Sequence, residues 1–321
     1  MNEALFIVWK NYQRRVEVLA PHLRCKALFL PHIFRKKEFR VIDYLFKLLV
    51  SFYTSFQQKP RFIVAQSPPL YSAISALLLK IPYVIDAHNP VFQDVGGRID
   101  WRNLPLSNFL IKNACAVVVH NHSILKVAKQ AYPDMTFFNI PDPIEAIGSS
   151  EKERLKNQIL VICSFDADEP VDILLDSIAK LPDYTFVITA DPIKLSQNLQ
   201  VKLQTLSNVK LTGFLPIQEY HDFLCGSMAT LVLTNQDLIQ PSGACEALSS
   251  NTPLIVSNTP LIKELFGEWA ILVENTVPSI VTAIQNLQLK SLDLSSYRNA
   301  WNKTVRQEIE RLLSFIPYKA T

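Results

Sequence analysis

The sequence predicts two Rossmann-like α/β domains in succession, with one amphipathic helix after the second. Three observations carry that expectation. The chain has 321 residues, more than a single hydrophobic core usually organises and close to two domains of about 150 residues each. Short β-branched apolar runs alternate with helix-period segments, the pattern of parallel strands joined by crossover helices. That alternation breaks once, around residues 139–153, and then begins again.

The first half supplies strands at 4–8, 26–30, 61–64, 83–85 and 116–119, each an apolar run bounded by polar or proline residues. Helical patterns fall between and after them at 14–23, 39–57, 70–79, 106–113 and 122–130. The stretch Asn139-Ile-Pro-Asp-Pro-Ile144 then stops regular structure, because proline cannot donate to a helix or sheet. An exposed connection is expected at 148–153. Strands resume at 159–163, 185–189, 209–212, 230–233, 254–256 and 270–273. Their helices are 171–180, 195–206, 217–224, 243–248, 260–265 and 277–288, and a charged amphipathic helix occupies 295–315. The expected domains are 1–145 and 153–294, facing across a cleft, with 295–321 as a tail that packs back on the first domain.

Composition narrows the function classes. Apolar residues make up 49% and charged residues 19%, which suits packed cores and not a disordered chain. The uncharged window 62–79 is divided by Pro68-Pro69, so it reads as strand, turn and helix instead of a membrane span. The apolar run 4–9 has no cleavage-like site after it, and a cytoplasmic protein is expected. Five scattered cysteines without CxxC spacing fit reduced thiols. The net charge of +3 conceals a basic region: between His22 and Arg61 lie nine Lys/Arg against only Glu38 and Asp43. Phe34, Phe39, Tyr44, Phe46, Phe52, Tyr53 and Phe56 are interleaved with them. Two readings stay open: an anionic membrane surface bound through 22–61 at the inner face, or a solvated helix face whose aromatics point into the core. No nucleic-acid partner is expected.

Ligands of open parallel sheets bind beyond the carboxyl ends of the strands. After the strand at 230–233 comes Pro241-Ser-Gly-Ala-Cys-Glu246, just where a helix begins. Free N–H groups and the helix dipole there favour an anion, and with only seven glycines in the chain Gly243 is informative, since it leaves an anion room to approach. Glu246 can reach hydroxyls of a ribose or sugar. The alternative is an ordinary capped helix, with Ser242 as N-cap and Glu246 near the capping-box position. In the first half, Ile85-Asp-Ala-His-Asn89 follows a strand, and His88 there can serve a sugar hydroxyl or a proton transfer, or be structural. The glycines 96 and 97 suggest a mobile loop. His120 and His122 lack a third nearby metal ligand. Gln66-Ser-Pro-Pro69 forms a strand-to-helix turn that can line the same edge as Asp86 and His120. Arg14 and Arg15 can meet an anionic acceptor or sit in solvent. No GxGxxG, P-loop, GxSxG or HExxH pattern occurs.

Taken together, these segments resemble the group 1 glycosyltransferases, which have the two-domain GT-B fold. The resemblance covers nearly the whole chain and is clearest from 211 to 273. Leu211-Thr-Gly-Phe-Leu-Pro216, with Gly213, is similar to the family's segment before the donor site. Pro241-Ser-Gly-Ala-Cys-Glu-Ala-Leu248 and Asn251-Thr-Pro-Leu-Ile-Val-Ser257 resemble its donor loop, helix and following strand. Ile85-Asp-Ala-His88 matches its strand-end histidine, while 117–123 and 139–144 resemble the end of its first domain. Gln66-Ser-Pro-Pro69 paired with Asp86-Ala-His-Asn89 resembles enzymes that glycosylate lipid-linked acceptors.

The resemblance implies hexosyl transfer from a nucleotide-diphosphate sugar, used as co-substrate with no tightly bound cofactor, to a glycan or lipid-linked acceptor. It implies donor contacts at Gly213, Asp237, Pro241, Ser242, Gly243 and Glu246, catalytic roles for His88 and Asn89, and no protein-held metal, with a Mg²⁺ requirement left open. Two departures stand out. The family's paired glutamates, eight residues apart, correspond to Glu246 and position 238, which is Leu238 beside Asp237. Where the family offers Arg and Lys to the diphosphate, this chain has Ser164-Phe-Asp-Ala-Asp-Glu-Pro170, with Lys194 the nearest basic residue expected in that half. A GT-B-fold protein that binds a nucleotide sugar or glycan without chemistry is the alternative.

Overall fold

A computed structural model of the chain describes residues 4–34, 36–92, 103–147, 154–287 and 293–317. The expected connection at 148–153 and the paired glycines 96 and 97 lie outside them. The chain divides into two compact units, Met1–Pro143 with Trp301–Thr321, and Ile144–Ala300.

The first unit runs β1 (Ala4–Val8), α1 (Arg14–His22), β2 (Cys25–Phe29), α2 (Arg40–Gln58), β3 (Ile63–Ser67), α3 (Ile74–Leu78), β4 (Tyr83–Ala87), α4 (Ser107–Lys112), β5 (Ala116–Val119), α5 (His122–Ala131) and β6 (Phe137–Asn139). Its six strands are parallel, in the order β2-β1-β3-β4-β5-β6. The expected helix at 70–79 is a 3₁₀ turn, Leu70–Ala73, leading into the short α3. Strand β6 was not expected: with three residues it is too short to show a period. The register pairs Gln66 with Asp86 and Ser67 with Ala87, so β3 and β4 end level.

The second unit runs β7 (Leu155–Val161), α6 (Val171–Ala179), β8 (Thr185–Ile188), α7 (Gln197–Gln204), β9 (Val209–Leu211), α8 (Ile217–Gly226), β10 (Ser227–Val232), α9 (Ser242–Ser249), β11 (Leu254–Ser257), α10 (Pro260–Phe266), β12 (Ile271–Val273) and α11 (Val277–Gln285). All its strands are parallel, in the order β12-β11-β10-β7-β8-β9. This is the doubly wound order in which chain direction reverses beside the first strand. A final helix, α12 (Ser295–Phe315), follows. Val305, Ile309 and Leu312, spaced by four and three residues, form its apolar stripe and join the core of the first unit with Val8, Val64 and Val118. Each such side chain stabilises by about 1.5–3 kcal/mol when buried.

Helix α2 departs from the reading in which its aromatics point into the core. Its buried residues are polar, Asp43, Lys47, Ser51 and Ser55, one per turn. Phe46, Tyr53 and Phe56 are exposed, so these aromatics do not point into the core. Lys47 does not contribute to an outward basic face: it lies inside, 3.0 Å from Asp43. Three of the four residues of the inner polar stripe, Asp43, Lys47 and Ser51, are satisfied locally, while the Ser55 hydroxyl has no protein partner among the described residues. Ser51 accepts from the Trp9 indole at 3.1 Å, and Asp43 accepts from the Ile33 amide at 2.8 Å and contacts His32 at 2.5 Å.

Candidate functional site

In the second unit the order reverses between β7 and β10, and the crevice beyond their carboxyl ends is where a ligand is expected. Helix α9 starts there. All its residues from Gly243 to Ser249 are buried, whereas Ser242 is exposed. The helix lies this deep because residue 243 has no side chain. A Cβ at that position would stand 3.0 Å from the Ile162 Cγ2, just after β7, and 3.1 Å from the Val232 Cγ2, at the end of β10. Gly243 is therefore required by helix-to-sheet packing.

The other end of α9 is held by two cations. The Arg154 guanidinium donates to the carbonyls of Ser250 at 3.2 Å and Asn251 at 3.1 Å, and also to Ser227 O and Thr252 Oγ1. Arg298 donates to Leu248 O at 2.9 Å. These partners complement the negative end of the helix dipole and leave its positive end toward the crevice. The capped-helix alternative does not hold. The N-cap position is Pro241, which has no side-chain hydrogen bond to the helix, and Ser242 is already the first helical residue. Glu246 is thus two residues too far along for a capping box. Its carboxylate instead accepts a hydrogen bond from the Tyr220 hydroxyl of α8.

The loop after β7 is folded around its own carboxylate. Glu169 accepts from the Ser164 amide at 3.0 Å to each oxygen and from the Asp166 amide at 3.2 Å. Burial pushes the Glu169 carboxyl above its usual range, and Asp168 adds to this, while the two amides oppose it. Phe165 takes φ +55°, a region non-glycine residues seldom enter, with its ring in the core. Asp166 is paired with Lys194 at 3.3 Å, both partly exposed. Asp166 and Glu169 are therefore engaged within the protein, and Lys194, expected as the diphosphate's cation, is engaged with Asp166. The following loop is tied down by residues the sequence reading missed. Asn275 donates to Thr234 O at 2.8 Å and Asn235 Oδ1 at 3.0 Å, and Ser257 bridges Asn275 and the Thr234 amide. Like the residues singled out, Ser257 and Asn275 stand at strand ends. Asp237 is exposed and Leu238 half-buried in the turn of that loop. Gly213 lies past β9, the edge strand, with β8 between it and the crevice. Its φ of +62° is what requires glycine.

The carboxyl edge of the first unit holds Gln66, Asp86, His88, Asn89 and His120, with Pro68 in the turn after β3. Arg15 is not available to an acceptor. It is buried, forks onto Asp86 at 2.9 and 3.0 Å, bonds Asp142, and donates to Ile140 O at 2.9 Å. Burial favours a neutral Asp86, but the Arg15 guanidinium and then His88 outweigh it and hold the carboxyl well below the usual range. Asp86 is thus a structural partner of α1 and not a free cleft carboxylate. Arg14 is half-buried beside it in the chain. His88 Nε2 stands 3.6 Å from Asp86, and its ring is 5.7 Å from that of His120. Gln66 is fully buried, and neither its amide oxygen nor its amide nitrogen has a protein hydrogen-bond partner. His122 is exposed at the start of α5, whose cap is Asn121, accepting from Ile124 N at 2.8 Å. Among the described residues no group of three or more His, Cys, Asp or Glu could hold a metal ion.

Two predictions follow from these environments. Gly243→Val drives a side chain into Ile162 and Val232 and should destabilise the protein by about 1–3 kcal/mol in denaturant unfolding; an unchanged midpoint would show that α9 can lift freely. Burial, then the positive Arg15 and the neighbouring His88, push the His120 pKa down from 6.5 to about 3. The unfolded chain therefore takes up a proton that the native state refuses as pH falls from 6.5 toward 3. The stabilisation is complete above that window and is lost through it. His120→Gln should flatten the fall in stability across that range, and an identical pH slope in variant and wild type would contradict it.

Residues 156–289 match the family model described as glycosyl transferases group 1. A comparison with curated proteins finds no match. Among solved structures, the Anabaena protein Alr3699/HepE, crystallised with UDP-glucose, is similar at 15% identity over 97% of this chain and 99% of its own, with a TM-score of 0.71. Sucrose-phosphate synthase from Thermosynechococcus elongatus is similar at 14% identity over 99% of this chain and 85% of its own, with a TM-score of 0.61. The pneumococcal O-GlcNAc transferase GtfA is similar at 13% identity and a TM-score of 0.58; the match covers 79% of this chain but spans only 56% of that enzyme. At such identities the likeness is one of fold, two parallel six-stranded α/β sheets with a C-terminal helix, as in GT-B proteins. The sequence match and the fold agree: the second unit carries the match to the group 1 glycosyltransferases, and the whole chain has the fold of GT-B proteins.

Proposed function

We propose that this protein transfers a hexosyl group from a nucleoside-diphosphate sugar to a hydroxyl of a glycan or lipid-linked saccharide. The observation that carries the reading is the positive end of α9 standing at the switch point of the unit that matches the family. In the proposed reaction the bond from the sugar's anomeric carbon to the diphosphate oxygen breaks. A bond to the acceptor oxygen forms as the hydroxyl proton passes to His88 or to the departing diphosphate oxygen. Negative charge grows on the leaving diphosphate, so fixed N–H donors act most strongly where it sits. The amides of Ser242 and Gly243 are the proposed donors, supported by the exposure of Ser242 and the helix dipole.

Glu246, held by Tyr220, is proposed to accept from ribose or sugar hydroxyls. Pro241 fixes the turn before these amides, and Asp237 and Gly213 are proposed as outlying donor contacts. On the first unit, His88 and Asn89 are proposed to meet the acceptor hydroxyl. The unpartnered amide of Gln66 is a further hydrogen-bonding group for a polyol. The uridine complexes of the Anabaena protein favour UDP as the first nucleotide to try.

Two observations favour binding without chemistry. Glu169 occupies the amides of the first loop, and Leu238 stands where a second glutamate is expected. Calorimetric titration with UDP, GDP, ADP and their sugar conjugates, with and without Mg²⁺, followed by turnover of whichever donor binds, separates the readings. The transferase reading expects saturable binding, weakened about tenfold or more by Glu246→Ala, the loss of hydrogen bonds to a charged group, together with release of nucleoside diphosphate. Binding without release over any acceptor tested establishes the non-catalytic reading. No binding by a folded sample removes both.

A further inference from the structure

We propose that the outer face of α2 docks on an anionic lipid bilayer, lying in the plane of the interface. The helix is turned inside out relative to an ordinary surface helix, which buries its apolar stripe. Val41, Ile42, Leu45, Phe46, Leu49, Tyr53 and Phe56 are all exposed, with Val41 79%, Tyr53 65% and Leu49 61% accessible. At 100° per residue they fall within an arc of about 140°. Ile33, Phe34 and Phe39, just before the helix, are exposed too, and the rings of Phe34 and Phe39 are 5.4 Å apart. An apolar surface this continuous marks an interaction site and not ordinary scatter.

The inner side explains why the helix cannot roll to hide that face. Asp43 and Lys47 are each fully buried as an ion pair, with Lys47 also reaching His32 at 2.7 Å and Trp9 O at 3.4 Å. Rotating α2 would carry Asp43, Lys47 and Ser51 away together and strip the Ile33 amide and the Trp9 indole of the acceptors they have here, which opposes turning the apolar face inward.

Charge identifies the occupant. With Asp43 and Lys47 neutralising each other inside, the described ends of the helix carry Lys36 and Arg40 before and at its start and Lys59 and Arg61 after its end, against Glu38. A second copy of this chain docked on the same face would bring these like charges together, which opposes association. Anionic headgroups complement them, and the leucine and aromatic face suits the acyl boundary beneath. No described helix is long and apolar enough to cross a membrane, which leaves the in-plane arrangement. This inference does not depend on the transferase reading.

The test is flotation of the full chain with vesicles of phosphatidylcholine alone or mixed with phosphatidylglycerol, at low and raised salt. Binding should require phosphatidylglycerol, weaken with salt, and fall roughly tenfold or more in Lys36→Glu/Arg40→Glu. It should be lost in Leu45→Glu/Leu49→Glu, whose thermal unfolding should match the wild type because both positions face outward. No flotation overturns the proposal, as does equal flotation on both vesicles. Dimerisation in ultracentrifugation that Leu45→Glu/Leu49→Glu abolishes, without vesicle binding, would assign the face to a second copy instead.

Discussion

The absent side chain at residue 243 sets how closely α9 lies against the ends of β7 and β10, and the arrangement of the second unit's carboxyl edge depends on that approach. With the helix pressed to the sheet, its first turn opens directly over the crevice where strand order reverses. Arg154 and Arg298 hold the far end through the carbonyls of residues 248, 250 and 251. A helix fixed at both ends presents its N–H groups in a preorganised array, which is what the proposed transfer asks of the donors at its leaving diphosphate.

The first unit solves a different problem with charge. Arg15 and Asp86 bind α1 to the end of β4, and the same guanidinium reaches Asp142 and Ile140 at the close of the unit. The Trp301 indole donates to Asp142 O at 2.9 Å, so the C-terminal segment is fastened to the same place. Breaking such a pair on one side is far more damaging than never having had it, because the remaining buried charge is left without compensation. The edge groups beyond it, His88, His120 and Gln66, therefore rest on a rigid ionic base.

Much of the architecture was legible in the sequence because a strand's period and a helix's period are local. Every expected strand has its counterpart, shifted by a few residues at most of its ends, and only β6, with three residues, escaped. The side-chain chemistry was less legible because its partners are remote. Arg15 shares a helix face with Val16, Leu19 and Ala20, so its burial could have been inferred, but its partners stand 71 and 127 residues away. The stripe 43, 47, 51 and 55 is visible in α2, yet the usual rule that apolar faces turn inward gives the wrong side. At the 164–170 loop the carboxylates were evident, but that Glu169 turns back onto its own amides depends on backbone directions that residue types do not specify.

The most direct test of the central claim is a crystal structure of the protein with a nucleoside diphosphate. The account predicts the diphosphate within hydrogen-bonding distance of the Ser242 and Gly243 amides, with a ribose or sugar hydroxyl on Glu246. A diphosphate bound elsewhere on the second unit, with the first turn of α9 untouched, would contradict it.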